Sequence, residues 1–173
     1  MKGLSAALLW PSAECAAMPP LRQATPPMST SLVDEGGRPL FIDVFKGVPI
    51  LINFWATWCP PCVAELPALD RATEQLAGEV NILLISVDRG GSKKALSFLH
   101  DRGISRPRFA FDAKGALSRE MGVRGLPTSF LVTADQRYCW AYQGPREWDD
   151  VGMIAELLGL LEGHGSLTMP PSV

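Results

Sequence analysis

Val48 to Trp55 is apolar apart from Asn53, which reads as a strand buried on both faces. Immediately afterwards the pattern changes period. Cys62, Leu66, Leu69, Thr73 and Leu76 recur at helical spacing, placing one face of a helix on a core, with Pro67 expected to kink it and Gly78 to end it. A second apolar run, Val80 to Val87, is short enough for a buried parallel strand. Ser92 is a candidate cap for a helix running to about His100, with Gly103 as its stop. A short strand over Arg108 to Phe111 and a short helix over Lys114 to Met121 follow. Thr128 to Thr133 and Arg137 to Gln143 then read as an antiparallel pair joined by Ala134-Asp135-Gln136. Val151, Ile154, Leu157, Leu158 and Leu161 mark a closing helix. Upstream, Glu35-Gly36-Gly37-Arg38 predicts a turn between Leu32-Val33 and Leu40-Phe41-Ile42, an N-terminal β-hairpin. No internal repeat interrupts this order.

A length of 173 residues suits one domain with a sizeable core plus a tail, and 47% hydrophobic residues excludes a disordered chain. The organisation expected is an N-terminal extension over residues 1–30, a domain over 31–165 and a C-terminal tail over 166–173. Pro19-Pro20 and Pro26-Pro27 among small polar residues make 16–30 read as a tether. Lys2 followed by Gly3 to Trp10 resembles a clipped signal sequence, and Cys15-Ala16-Ala17 resembles a small-residue cleavage site. Pro11 and Glu14 interrupt that stretch, which falls short of the ~20 apolar residues needed to span a bilayer. Glu14 also occupies the place where a lipobox before Cys15 would carry a small residue. A formal net charge of −2 and the absence of a basic patch give no electrostatic case for nucleic acid or an anionic membrane surface; Lys93-Lys94 reads as a solvated helix start.

The candidate chemistry lies where the first strand pattern gives way to the helix, at Trp58-Cys59-Pro60-Pro61-Cys62. Two cysteines three positions apart at a helix start can close a disulfide without backbone movement. The helix N-terminus brings oriented N–H groups and the positive end of the macrodipole to the first sulfur, which lowers its thiol pKa. Cys59 is thus the expected nucleophile, kept at the surface but partly shielded by Trp58, and Cys62, one turn inward, the resolving thiol. A zinc half-site is the competing reading. Structural zinc takes four ligands, and neither Cys15 and Cys139 nor His100 and His164 supply a second pair at matching spacing, so no metal is expected. Pro60 and Pro61 lack N–H groups and cannot donate to a sulfur. They also initiate helices well, and both readings stand.

Asn53-Phe54-Trp55-Ala56-Thr57-Trp58-Cys59-Pro60-Pro61-Cys62, followed by Glu65-Leu66-Pro67-Ala68-Leu69, resembles the TlpA/ResA group of thioredoxin-like proteins. Gly122-Val123-Arg124-Gly125-Leu126-Pro127-Thr128 resembles the loop that carries that superfamily's cis-proline. The similarity extends over roughly residues 31–163 and leaves the first thirty unexplained. The resemblance implies an α/β, thioredoxin-like fold with a central mixed sheet flanked by helices. It also implies an extracytoplasmic thiol–disulfide oxidoreductase working through the Cys59–Cys62 dithiol with no other cofactor. Pro127 is then expected cis and facing the disulfide, and Leu126 offers backbone groups to an extended client segment. Trp58, Pro60, Pro61 and Thr128 complete the expected substrate-binding set, whereas Trp55 reads as core. Some TlpA-like proteins carry a second, structural disulfide, and Cys15 with Cys139 is the candidate pair here. Gly144-Pro145-Arg146-Glu147-Trp148 also resembles TlpA-type sequences and is expected to shape the sheet end and cap the last helix, with no catalytic duty.

Glu65 follows Cys62 by three residues and shares its helical face. Where thioredoxin has a buried aspartate in the preceding strand, this chain has Asn53, and the TlpA/ResA group likewise pairs a non-acidic strand residue with a helix glutamate. Two readings are open: a partly buried carboxylate with raised pKa that takes and returns the proton of Cys62, or a surface glutamate stabilised by the helix dipole. The implied partners are disulfide-containing client proteins and a membrane electron donor, with no nucleic acid, the chain itself acting as a monomer. The implied location is periplasmic, with tethering through a segment not represented in the chain. Clients in the family include apocytochrome c and copper-delivery or oxidase-assembly proteins; Thr128-Ser129, where the cytochrome-specific branch has a glutamate, favours the broader group. Two other functions share the fold. A peroxiredoxin-like peroxidase uses a single peroxidatic cysteine with a threonine and an arginine. A copper chaperone of the Sco type needs a histidine near the cis-proline, and none occurs between Asp101 and Glu162.

Overall fold

The computed structural model describes Leu21–Arg22 and residues 30–163. Its elements in chain order are β1 (Leu21–Arg22), β2 (Leu32–Asp34), β3 (Pro39–Leu40), a 3-10 turn (Ile42–Phe45) and β4 (Ile50–Trp55). Then come α1 (Pro60–Gln75), β5 (Asn81–Ser86), α2 (Ser92–His100), β6 (Arg108–Phe111), α3 (Ala116–Glu120), β7 (Thr128–Val132), β8 (Cys139–Gln143) and α4 (Val151–Glu162). The strands form one mixed sheet in the order β1-β8-β7-β4-β5-β6-β2-β3. β4, β5 and β6 run parallel, and every other neighbouring pair is antiparallel.

Central position explains the unbroken apolar run on β4. Each of its six residues is buried, because helices cover both faces and β5 and β7 flank it. Parity then divides it. Leu51 and Trp55 join the core under α1, α2 and α4, while Ile50, Ile52 and Phe54 join the opposite core with Leu32, Ile42, Phe45 and Leu117. Asn53 shares the parity of Leu51 and Trp55, and its cross-strand partner is Ser129 on β7. The single polar side chain of this strand is thereby aimed at α1.

The expected elements are present, with local differences. Phe41 and Ile42 leave the hairpin, whose second strand is only Pro39–Leu40, and Ile42 begins the 3-10 turn that buries Ile42 and Phe45. Ser92 is the first residue of α2 rather than its cap; Gly91, at φ 78°, holds the cap position. Thr73 is half-buried and donates to the Leu69 carbonyl at 2.8 Å, leaving Ala72 and Leu76 to carry the core contact there. Pro67 lies within α1 on its exposed face, where the carbonyl it leaves without an N–H can meet water. Leu21–Arg22, in the segment whose composition reads as a tether, pairs with Trp140 and Cys139 of β8. No helix among the described residues is long and apolar enough to cross a membrane.

Candidate active site

Cys59 is the N-cap of α1, with extended backbone (φ −101°, ψ 99°), and Pro60 and Pro61 fill the first two helical positions. Proline costs nothing there, because the first helical N–H groups have no intrahelical acceptor. The turn brings Cys59 and Cys62 to a Cα–Cα separation of 5.3 Å, and their sulfurs form a disulfide. Cys59 is less open than the sequence suggests, only 5% exposed, and Cys62 is fully buried. Trp58 is itself 65% exposed, yet it walls, with Pro60, Pro61, Val87, Val123 and Leu126 among others, the groove of about 520 Å³ that Cys59 also lines.

The Gly125–Thr128 loop closes that groove. The Leu126–Pro127 peptide bond is cis, in agreement with the loop's resemblance. Thr128 is buried and donates from Oγ1 to the Gly125 carbonyl at 2.7 Å, while Gly144 N–H donates to the Pro127 carbonyl at 2.9 Å. The Thr128 side chain therefore holds the loop's shape. Leu126 is half-buried and lines the groove. Trp55, as expected, is core.

On the other side, Asp88 fixes the approach to Cys59. Its carboxylate accepts from Thr57 N–H at 2.9 Å, Thr57 Oγ1 at 2.7 Å and Ser86 Oγ at 2.9 Å. The loop between β4 and α1 is thus tied to the end of β5. Asp88 escaped the sequence reading because an aspartate following a strand is common; only the fold shows it buried against Thr57.

Glu65 is 4% exposed, which removes the reading of a surface charge at a helix start. Asn53 Nδ2 donates to its Oε1 at 2.7 Å, and Arg146 N–H and Trp148 Nε1–H both donate to its Oε2 at 3.0 Å. Asn53 Nδ2 also donates to Ser129 Oγ at 2.9 Å. Burial raises the Glu65 carboxyl above its ordinary value, and the donors from Asn53, Arg146 and Trp148 hold it back only in part. Gly144–Trp148 consequently does more than shape the sheet end. It does not cap α4; Asp150 does, accepting from Gly152 and Met153 N–H. Trp148 is fully buried and packs edge-on against Tyr142 at 5.5 Å. The signal for this network was present in Asn53, the one polar residue in an apolar strand, but Glu65 draws its partners from 12, 81 and 83 positions away and no local pattern joins them.

Cys139 is buried on β8. Cys15 lies outside the described residues, and the pairing expected between them with it.

A mixed sheet with β4–β7 antiparallel, a dithiol at the N-terminus of α1 and a cis-proline in the loop whose Leu126 lines the same groove as Cys59 defines a thioredoxin-like protein. The chain belongs to the Redoxin family, whose model matches residues 19–158. It is 32% identical over 120 residues to the thiol:disulfide interchange protein DsbE of Vibrio cholerae, covering 67% of this chain and 62% of that one. A DsbE homolog of Paracoccus denitrificans is 32% identical over 133 residues, covering 76% and 67%. The thiol-disulfide oxidoreductase ResA of Bacillus thuringiensis is 30% identical over 114 residues, covering 65% of each chain. Among solved structures, a thiol:disulfide interchange protein of the thioredoxin family from Chlorobium tepidum superposes with a TM-score of 0.62 at 27% identity, covering 78% of this chain and 97% of that one. The chain spans a little under two thirds of the length of the Vibrio protein it matches.

Proposed function

We propose that this protein is a thiol–disulfide oxidoreductase that reduces disulfides of extracytoplasmic client proteins. The observation that carries the reading is the Cys59–Cys62 disulfide at the start of α1, with Cys59 in an apolar groove that Leu126, the residue before cis-Pro127, also lines. In the reduced protein the Cys59 thiolate, favoured by the helix N-terminus, attacks one sulfur of a client disulfide. A mixed disulfide forms and the client's other sulfur leaves as a thiolate. Cys62 then gives its proton to Glu65 and attacks Cys59 Sγ; the Cys59–Cys62 disulfide forms and the second client sulfur leaves with the two electrons. A protein electron donor, membrane-bound in this reading, restores the dithiol. Trp58, Pro60, Pro61 and Leu126 contact the client, whose extended segment lies along the backbone of Leu126 and Pro127. Maturation of cytochrome c or of copper and oxidase proteins is the process this chemistry suits, as the resemblance to the TlpA/ResA group and the DsbE relatives supports.

Purified Cys62→Ser protein, reduced and exposed to periplasmic extract, should accumulate mixed disulfides through Cys59, and Cys59→Ser protein should not. Equilibration with glutathione should give a potential more negative than about −200 mV, toward the thioredoxin-type reductants. A strongly oxidising potential would reverse the assigned direction. Appreciable turnover of hydrogen peroxide would replace the reading with a peroxidase.

A further inference from the structure

The buried end of Glu65 is asymmetric. Oε2 accepts two hydrogen bonds, from Arg146 N–H and Trp148 Nε1–H, each at 3.0 Å. A backbone amide and an indole nitrogen are donors only and cannot reverse their role. With both lone pairs of Oε2 committed, a proton there would displace one of them. Oε1 accepts a single bond, from Asn53 Nδ2 at 2.7 Å, and keeps a lone pair. Its partner is also the adaptable one. Asn53 Oδ1 is buried with no hydrogen-bond partner among the described residues, so a turn of the amide would offer an acceptor to an O–H on Oε1. Ser129, whose hydroxyl both donates and accepts, can follow that turn.

We propose that Trp148 is a positioning residue of the exchange reaction: with the Arg146 amide it locks Oε2 of Glu65 as an acceptor, so that the transferable proton is carried on Oε1, against Asn53. The inference rests on Glu65 being the proton acceptor for Cys62, and it assigns the atom and the residue that selects it. Trp148 is well built for the task. It is fully buried, its ring is braced edge-on by Tyr142, and Tyr142 in turn donates to Glu156 Oε1 at 2.9 Å. The charged and titratable groups around Glu65 are few. Cys62 lies one turn earlier on α1. Arg71 of α1 with Arg146, Glu147 and Asp149 of the loop before α4 line the groove that Glu65 borders, Arg71 being bound to Asp149 at 2.6 Å. Tyr142 of β8 and Glu156 of α4 lie beyond the indole; β4 and β7 present only neutral Asn53 and Ser129. Replacing the indole N–H leaves all of these in place.

The test is a carbon-13 titration of the Glu65 carboxyl in the intact oxidised protein, its resonance assigned by its loss in Glu65→Gln. N–H donation favours the ionised form, so Trp148→Phe should move the midpoint upward by about one pH unit, as expected for losing one donor to a carboxylate. Should Trp148→Phe fail to fold, benzothienylalanine at position 148 keeps the ring's shape and replaces only the N–H with sulfur, and the same rise is expected. An unmoved or lowered midpoint in a folded variant would overturn the inference. Its parent reading is checked separately, by the pH dependence of single-turnover disulfide reduction in Glu65→Gln. A profile unchanged from wild type there would remove Glu65 from the proton transfer whatever the carboxyl titration showed.

Discussion

At Glu65, burial and hydrogen bonding act against each other on one carboxyl, and burial wins. The consequence for stability has a definite sign. A folded-state pKa above the ordinary 4.5 means that the native protein binds the proton more tightly than the unfolded chain. The contribution is complete below that ordinary value and is lost as pH rises through the raised one. Melting temperature measured against pH should therefore fall across this window in wild type, and Glu65→Gln should flatten the fall. Such a substitution is tolerable locally, since the amide oxygen can still accept from Arg146 and Trp148 while Asn53 turns to meet the new N–H₂. Trp58 represents the opposite case. Exposed at 65%, it holds no core in place. Trp58→Ala should change unfolding free energy by no more than about 0.5 kcal/mol while weakening capture of clients by the Cys62→Ser protein, measured by denaturant titration and by trapping yield.

Two connections at the level of elements decide where the dithiol sits. Asp88 clamps the β4–α1 loop to the end of β5 through Thr57 and Ser86. Asp88→Ala leaves the half-buried Thr57 N–H and hydroxyl without their acceptor, at a cost of about 1 kcal/mol, and frees the backbone next to Cys59. Urea unfolding should show the loss, and disulfide reduction should slow at unchanged pH optimum. Asp70, buried on α1, accepts from Ser105 N–H and Arg106 N–H at 2.9 Å each and pairs with the Arg106 guanidinium. Burial works to raise its carboxyl, but the Arg106 and Ser105 donors and the guanidinium outweigh it and hold the value below the usual range. At the far end of the chain, Asp150 caps α4. Asp150→Ala should cost about 1 kcal/mol by the same denaturant measurement.

Across the whole molecule, the sheet order separates two tasks. The core under α1, α2 and α4 contains Cys62 and Trp148 and surrounds the polar contacts of Glu65; the core on the other face is apolar packing beneath the hairpin and α3. The dithiol and the Glu65 network thus lie on one side of the sheet, while the cis-proline loop that enters β7 adds Leu126 to the groove from the neighbouring strand. Much of this was legible in the chain. The unbroken apolar β4, the helix spacing after Cys59 and the alternating strand–helix order follow from local periodicity, which burial on one or two faces imposes directly. Less legible were the features that rest on burial of polar groups. Glu65 could be placed on the helical face of Cys62, but its exposure could not be read from that spacing. The role given to Gly144–Trp148 changed for the same reason: the segment looks like a connection until it is laid over α1.

By itself the sequence determined the dithiol, its place at a helix start and the strand that delivers it, because these depend on residues within one turn or one strand of each other. Tertiary structure alone decided that Asn53, Arg146 and Trp148 meet at one carboxylate, that Asp88 holds the loop before Cys59 and that Thr128 turns inward. Each of those contacts joins residues brought together only when the sheet is ordered and the helices are laid across it. A buried polar group must find its partners wherever the fold supplies them, and no local pattern of residues records that choice.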